Sequence, residues 1–310
     1  MSNFDLIIFD EIAQIRAYFQ FNNTEGVHTT LSKLRDSLDD ETFQAKTIPL
    51  LYEAVEKNSF DLICCLLKNH VSMDSRLIIQ ATTSTAYQAL EAFLIHGWDI
   101  NMPVNWNTPG PLAFSFYDSA LTEWFLSHGA DPNRRCYKHT DRTPLSIAFK
   151  EAPFTTIQLL LDYSASLKHG QVMHYAAMRE LDDRLEVLQY LLDRGHSVND
   201  IMYQDCGDEY YFHMYSGIGA PLHYAAGKGL LDSVKLLVQH GASPLIRDPF
   251  GRIPADWARE NGHIAVIDFL RPFCTGRDLE SNFQFTDAPG RHVRTAPLEE
   301  VIMRNGLRLV

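Results

Sequence analysis

Two short stretches of this chain nearly repeat each other, and this recurrence constrains the fold more than any other feature. They read VMHYAA at 172–177 and PLHYAA at 221–226. Each is followed by an apolar run with helical spacing and then by a glycine, at Gly195 and at Gly241. Self-similarity of this kind is typical of a chain built from stacked units whose neighbours cover each other's apolar faces.

The starts of the predicted first helices set the register of these units. Proline suits the first position of a helix, because the N–H that it lacks would have no partner within the helix there. The intervals between successive starts are 28, 34, 33, 28, 49 and 33 residues, so three of them lie at or next to a period of 33. The seven predicted starts are Pro49, Leu77, Pro111, Pro144, Val172, Pro221 and Pro254.

The residues within one unit predict a pair of helices. Leu222, Ala225 and Ala226 recur at helical spacing, and the two alanines are small enough to let a second helix approach closely. In the second helix Val234 and Leu237 form part of one apolar stripe.

Each second helix is predicted to end at one position, where a left-handed backbone lets the chain turn. Glycine adopts this conformation at low cost because it has no Cβ atom. Ser164 and His70 stand at this position in two units, so we expect their helices to end less cleanly. Glycine stands there in four other units, as Gly97, Gly129, Gly195 and Gly241.

The sequence resembles the ankyrin repeat family, whose signature is a 33-residue unit containing Thr-Pro-Leu-His-x-Ala. The residues that carry the resemblance are APLHYAAGKGLLDSVKLLVQHGASPL at 220–245, RTPLSIA at 142–148 and FLSHGADPN at 125–133. The resemblance covers about residues 49–273. It implies an all-α solenoid of stacked helix–turn–helix units with β-hairpin fingers of uneven length. It also implies structural roles for His174 and His223, which would bridge backbone groups of neighbouring units, and for Gly195 and Gly241.

The predicted fingers, which link each second helix to the next unit, differ in length. Three of them have 12 to 14 residues, whereas those that begin at Val71 and Ala165 have only 6 and 7. The finger from His196 has 25. We call residues 196–220 the long finger and residues 166–171 the clipped finger.

The long finger combines aromatic rings with carboxylates, and it contains neither Lys nor Arg between residues 203 and 215. Large rings near acidic groups are typical of a contact surface for a protein partner. One interpretation is contact with a basic or Arg-bearing segment; the other is that the finger lies back on its neighbours and fills the groove. The predicted partner contacts are Asp205, Asp208, Glu209, Tyr210, Tyr211, Phe212 and Tyr215.

A second candidate surface is the finger at 131–143, which is locally basic in an acidic chain. Adjacent patches of opposite charge orient a partner and speed its association. We predict partner contacts at Arg134, Arg135 and Tyr137, with an ordinary solvated finger as the alternative. Trp106, in the finger at 98–110, is either a binding anchor or packed against its neighbour.

The composition bounds the class of partner. A formal charge of −12 over 310 residues disfavours nucleic acid or an anionic membrane, which require clustered Lys and Arg. No apolar run approaches the length of a membrane helix, and no basic signal-peptide region is present at the start. Five cysteines without a paired framework suit a reducing compartment. We therefore expect a monomeric protein of the cytoplasm or nucleus that binds another protein.

The two ends of the chain fall outside the repeats. Residues 1–48 carry two apolar helical stripes, which predict either a degenerate cap on the stack or a pair of recruiting helices. Residues 274–310 end in LEEVIMRNGLRLV, for which folding back on the last repeat, partner docking and disorder all stay open. The predicted organisation is therefore 1–48, about seven repeats over 49–273, and a C-terminal extension over 274–310.

These observations favour a non-catalytic interaction module, acting as an adaptor, scaffold or inhibitor, over an enzyme. The alternative is an enzyme or an essential enzyme subunit with a pocket under the long finger. Its acid–base candidates are Asp205, Asp208, Glu209 and His213. A receptor for a small ligand is a third possibility. We expect no cofactor and no metal site, because paired Cys or His ligands are absent from the sequence.

Overall fold

The fold was obtained as a computed structural model, and the structure describes residues 3–105, 108–136 and 141–274. These residues form α-helices and short 3₁₀ turns, which confirms the predicted all-α class. The fingers contain no strand within the described ranges, and a single antiparallel bridge joins Asn105 and Thr108. Isolated hydrogen bonds close the finger bases instead, such as the one from the Cys136 N–H to the Arg142 carbonyl at 3.1 Å.

The described part of the chain has sixteen α-helices. Three 3₁₀ segments accompany them, at Pro111–Phe114, Met214–Ser216 and Arg271–Phe273. The α-helices are α1 (Asn3–Gln20), α2 (Thr24–Ser37), α3 (Asp40–Glu56), α4 (Phe60–Lys68), α5 (Ser75–Thr83), α6 (Tyr87–Ile95), α7 (Ser119–Ser127), α8 (Pro144–Glu151), α9 (Phe154–Asp162), α10 (Val172–Ala177), α11 (Arg184–Leu192), α12 (Gly207–His213), α13 (Pro221–Gly227), α14 (Leu231–Gln239), α15 (Pro254–Glu260) and α16 (Ile264–Leu270).

Within the described residues, seven helix pairs follow α1 and α2 and stack in the order of the chain. The first helix of each pair packs on the first helices of its neighbours, and the second helix packs on the second helices. The apolar side chains between them form one continuous core along residues 8–270. The pairs are α3/α4, α5/α6, the 3₁₀ turn at Pro111–Phe114 with α7, α8/α9, α10/α11, α13/α14 and α15/α16, which we number as units 1 to 7.

The first unit begins earlier than the sequence predicts. We expected its first helix to start at Pro49, but α3 starts at Asp40 and continues through the proline. The Asp39 carboxylate accepts the Thr42 N–H at 2.9 Å and so caps the helix upstream. The predicted boundary between residues 48 and 49 therefore falls inside one helix.

The α1–α2 pair has the same turn between its helices as the later units. The Asn23 N–H donates to the Tyr18 carbonyl at 3.0 Å, and the equivalent bond in unit 6 joins the Leu230 N–H to the Ala225 carbonyl at 3.0 Å. The turn residue Asn22 has a positive φ of 49°. This likeness favours a degenerate repeat at the start of the stack, and the role of residues 1–48 as a cap stays a prediction.

The prediction that units ending in Ser164 and His70 end less cleanly is wrong. Ser164 has a φ of 66° and His70 a φ of 63°, in the same left-handed region as Gly129 at 92°. The Ala165 N–H bonds to the Leu160 carbonyl at 3.0 Å, as in the glycine units. The hydrogen bonds that end the helix require a left-handed backbone at this position. Ser164 and His70 therefore adopt it, although it costs a residue with a Cβ atom more energy than it costs glycine.

We therefore expect Ser164→Gly to raise the free energy of unfolding by about 1 kcal/mol, because glycine relieves the left-handed strain. Conversely, Gly129→Ala should lower it by about 1 kcal/mol, since no atom lies within 4 Å of the added Cβ and only the backbone is affected. Urea denaturation measures both. A destabilising Ser164→Gly would contradict the strain argument.

Arg179 connects units 4 and 5 from a fully buried position that the sequence analysis missed. Its side chain has 0% exposure. The guanidinium donates to the carbonyls of Phe149 at 3.2 Å and Ala152 at 2.7 Å, near the end of α8. It also pairs with the Asp183 carboxylate at 2.6 Å. Carbonyls at a helix end have no partner within the helix, so this arginine supplies their donors.

Removing this buried charge network should destabilise the protein strongly. We expect Arg179→Met to lower the free energy of unfolding by about 3 to 5 kcal/mol, because the carbonyls and Asp183 lose their partner. Lys228→Met is the matched control: Lys228 pairs with Glu180 between units 5 and 6, but both side chains are largely exposed. The control should cost less than about 1 kcal/mol, and equal losses in denaturation would contradict the argument.

Candidate partner-binding surface

The long finger folds into a short helix that lies against the fingers before it. Helix α12 occupies Gly207–His213, and a 3₁₀ turn at Met214–Ser216 continues it. Acidic residues in the first turn of α12 favour the helix, because they complement the exposed N–H groups there. The long finger is thus an ordered element with two distinct faces.

The inner face of α12 is fixed to the finger at 131–143. Glu209 is only 4% exposed, and its two carboxylate oxygens accept the backbone N–H of Asp141 at 2.7 and 2.6 Å. Tyr203 is also buried, and the ring of His213 stacks on it at 5.0 Å between centroids. These contacts agree with the interpretation that the finger lies back on its neighbours.

A bridging glutamine explains how the long finger passes the clipped finger. The Gln171 side chain donates to the Asp141 carboxylate at 2.9 Å and accepts the Tyr203 N–H at 3.1 Å. Arg135 holds the same carboxylate at 3.2 Å. Because the clipped finger is short, one side chain can join the finger before it to the finger after it.

The outer side of α12 and of the 3₁₀ turn that continues it presents aromatic rings to solvent. Tyr211 is 62% exposed, Phe212 55% and Tyr215 66%. We call these three residues the α12 ridge. Asp205 and Asp208 are exposed beside it, whereas Tyr210 is half-buried. The two interpretations of the long finger are therefore compatible, since one face docks and the other displays rings.

Glu209 lies on the docked face, although the sequence analysis placed it among the partner contacts. Burial raises the pKa of its carboxyl to about 7, and the hydrogen bond from Asp141 opposes this shift. In this position the Glu209 carboxylate contacts the finger at 131–143 and is not exposed at the surface. The sequence could not indicate this, because the residue that it contacts lies 68 positions away.

The two arginines predicted as contacts in the basic finger are both exposed, and one of them is also engaged within the chain. Arg134 is exposed. Arg135 is engaged within the chain, because it pairs with Asp141 and hydrogen-bonds His169 at 3.1 Å. The predicted contacts Tyr137 and Trp106 lie outside the described residues, as do residues 275–310 of the predicted C-terminal extension.

The acid–base candidates of the alternative enzyme hypothesis lie in different surroundings. Asp205 and Asp208 are exposed, whereas both oxygens of Glu209 are occupied by a backbone donor and His213 stacks on Tyr203. Two surface grooves lie away from the long finger, one between α11 and α14 and the other between α1 and α3. Neither groove is lined by any of these four candidates.

Two family models match the chain, and they cover the units around this surface. A model for three copies of the ankyrin repeat matches residues 111–202, and a single ankyrin repeat model matches 220–249. Residues 111–202 and 220–249 of this chain are therefore ankyrin repeats. The first matched range contains α11, the helix before the long finger, and the second contains α13, the first helix of the next unit.

Curated relatives share parts of these ankyrin repeats. Cyclin-dependent kinase inhibitor 2A of Monodelphis domestica is 47% identical over 51 residues, which are 16% of this chain and 30% of the relative. The human protein of that name is 43% identical over 70 residues, 23% of this chain and 45% of the relative. The E3 ubiquitin-protein ligase hecd-1 of Caenorhabditis elegans is 42% identical over 89 residues, 28% of this chain and 3% of the relative. The chain thus spans less than half the length of each of these relatives.

A solved structure is also similar. The ankyrin repeat domain of Bcl-3, a member of the IkappaB protein family, superposes with a TM-score of 0.41 and 19% identity. The match covers 72% of this chain and 85% of that domain. A TM-score this low carries no argument, so the assignment of ankyrin repeats depends on the two family models. Within the described residues, no helix combines the length and the apolarity that crossing a bilayer requires.

The two histidines of the ankyrin signature bond to the backbone of the next finger. The His174 ring nitrogen Nε2 lies 2.8 Å from the Asp200 carbonyl, and Nε2 of His223 lies 3.0 Å from the Arg252 carbonyl. The Ala220 N–H donates to Nδ1 of His223 at 3.1 Å, so this ring is neutral with its proton on Nε2. Gly195 and Gly241 have positive φ values of 76° and 87° at the ends of their helices.

These histidines should make the fold sensitive to acid. Burial lowers the pKa of both His174 and His223 to about 4, whereas an unfolded histidine titrates near 6.5. Between these values the unfolded chain binds more protons, so the free energy of unfolding should fall as the pH drops from about 6.5 towards 4, by up to about 1.4 kcal/mol per pH unit for each histidine.

Urea denaturation at pH 7 and pH 5 tests this expectation. His223→Asn removes one of the two groups, so its loss of stability between these pH values should be smaller than that of the wild type. Equal losses in the two proteins would show that His223 does not carry the pH dependence.

Proposed function

We propose that this ankyrin repeat protein is a non-catalytic interaction module that binds a basic or mixed-charge segment of another protein through the α12 ridge. The observation that supports the proposal is the exposure of three rings on an element that is fixed from behind: Tyr211 and Phe212 on α12, and Tyr215 in the 3₁₀ turn after it, are each more than half exposed. Exposing aromatic rings to water is unfavourable, and a partner that covers them gains binding free energy from the burial of their apolar surface.

The energetics of such a ridge favour binding of a protein segment. Tyrosine and phenylalanine contribute large apolar areas with few rotatable bonds, and tyrosine adds a hydroxyl for hydrogen bonding. Because the docked face of α12 already orders the backbone, a partner would lose little affinity to ordering the finger. A ridge of three rings is enough for the centre of a small interface.

The charge around the ridge favours a basic partner. Asp205 and Asp208 lie exposed beside the rings, in a chain of formal charge −12. An arginine of a partner can stack on a tyrosine ring and reach a nearby carboxylate at the same time. Exposed Arg134 on the neighbouring finger would then meet an acidic residue of the same segment, which gives the mixed-charge form of the proposal.

The relatives are compatible with this class of function. One is named a kinase inhibitor and another a ubiquitin-protein ligase, and both names refer to action on other proteins. We propose that the protein acts as an adaptor, a scaffold or an inhibitor. Which of these roles it has would depend on the partner. The monomeric state and the cytoplasmic or nuclear location stay predictions.

A random-peptide library tests the proposal directly. Peptides selected on the wild-type protein should be enriched in Arg and Lys, and they should bind at least about tenfold more weakly to the Tyr211→Ala/Tyr215→Ala variant, because two rings contribute more than 1.4 kcal/mol. Fluorescence titration gives the dissociation constants.

Phe21→Ala is the matched control, because Phe21 is an exposed ring in the turn between α1 and α2. This variant should bind the selected peptides as the wild type does. Selection of peptides without basic residues, or equal affinity for the double variant, would rule out the α12 ridge as the binding surface.

A further inference from the structure

We propose that Glu209 is the positioning residue of the α12 ridge, and that the protonation of its carboxyl sets how firmly the long finger is docked. The inference rests on the proposed function, in which the ridge is the surface that binds a partner. The docking itself can be measured without any partner. Glu209 is only 4% exposed, so it would act through the placement of α12.

The geometry of the contact supports a positioning role. Both carboxylate oxygens of Glu209 converge on one backbone donor, the Asp141 N–H, at 2.7 and 2.6 Å. A backbone amide is fixed in place by its chain, so it holds the helix more rigidly than a mobile side chain would. The bond joins the long finger to the finger between units 3 and 4, across 68 residues of sequence.

The position of Glu209 on the helix connects this anchor to the ridge. Tyr211 follows two residues later, and side chains two positions apart on an α-helix point in different directions. Glu209 is therefore buried while Tyr211 is exposed. Rotation or release of the anchor would move the rings away from their present direction.

The surroundings of Glu209 determine how it responds to pH. Among the described residues of the basic finger, Arg135 and the Asp141 carboxylate act on it, the first favouring ionisation and the second opposing it. His213 lies on the same finger as Glu209, and burial lowers the pKa of its imidazole. Further titratable groups of this cluster, within the part of the chain that the structure describes, are Cys136, Arg142, Tyr175, Tyr203 and Cys206.

The direction of the pH dependence follows from the buried carboxyl. Docking raises the pKa of Glu209 from its ordinary value near 4.5 to about 7, so the docked finger binds an additional proton between these values. Docking should therefore weaken as the pH rises towards 7 and become independent of this group above it. His213 contributes in the opposite direction, so a comparison between variants that both retain His213 is required.

Hydrogen exchange of the amides in residues 203–216, followed by mass spectrometry on the full chain, measures the docking. Glu209→Gln keeps an oxygen that can accept the Asp141 N–H but cannot ionise. The ratio of protection in the wild type to protection in Glu209→Gln should rise about tenfold from pH 8 to pH 6. Glu209→Ala, which leaves the Asp141 N–H without its acceptor, should lose about tenfold in protection at pH 6.

Two controls separate this role from general loss of structure. Glu186→Gln changes an exposed carboxyl on α11 and should leave the exchange of 203–216 unchanged at both pH values. Exchange in α13 and α14 should also stay at the wild-type level in Glu209→Ala, which shows that the stack remains folded. A ratio that does not vary with pH, or wild-type protection in Glu209→Ala, would overturn the inference.

The outcome is distinguishable from that of the proposed function. If Glu209→Ala loosens the finger while Tyr211→Ala/Tyr215→Ala retains full peptide binding, Glu209 positions α12 but the ridge is not the binding surface. If the double variant loses binding while Glu209→Ala leaves both exchange and binding unchanged, the binding function stands and the positioning role is overturned.

Discussion

The structure depends on the burial of apolar surface between neighbouring helix pairs. Its helices are short; α10 has six residues and α13 has seven, well below the length at which an isolated helix is stable in water. Each pair therefore gains its stability from the pairs on either side. Ala225 and Ala226 show the requirement at one position, because both are fully buried where a larger side chain would push the helices apart.

Local rules made much of this architecture predictable. Proline at the first helical position marks the starts at Pro111, Pro144, Pro221 and Pro254, and the structure places each of them there. The rule depends only on the missing N–H of proline, so it needs no knowledge of tertiary contacts. It fails at Pro49, because the upstream cap at Asp39 and the packing of the preceding residues extend α3 through the proline.

The candidate site was less predictable, because it depends on contacts between distant residues. The sequence indicated the long finger and its rings, but it could not separate the docked face from the displayed face. That separation follows from the bond between Glu209 and the Asp141 amide, and no local pattern encodes such a bond. The same limit applies to Arg179, which looks like an ordinary surface arginine in sequence and yet lies fully buried among carbonyls of the preceding unit.

The clipped finger has a consequence for the cooperativity of the whole array. In a linear stack of repeats each unit is coupled only to its nearest neighbours, so such proteins can fray from either end one unit at a time. Here Gln171 and Glu209 connect the loop ahead of unit 4 to the loop that follows unit 5, which adds a second-neighbour coupling. Units 3 to 6 would then unfold together as one cooperative block. The units on either side of this block would unfold locally and independently of it.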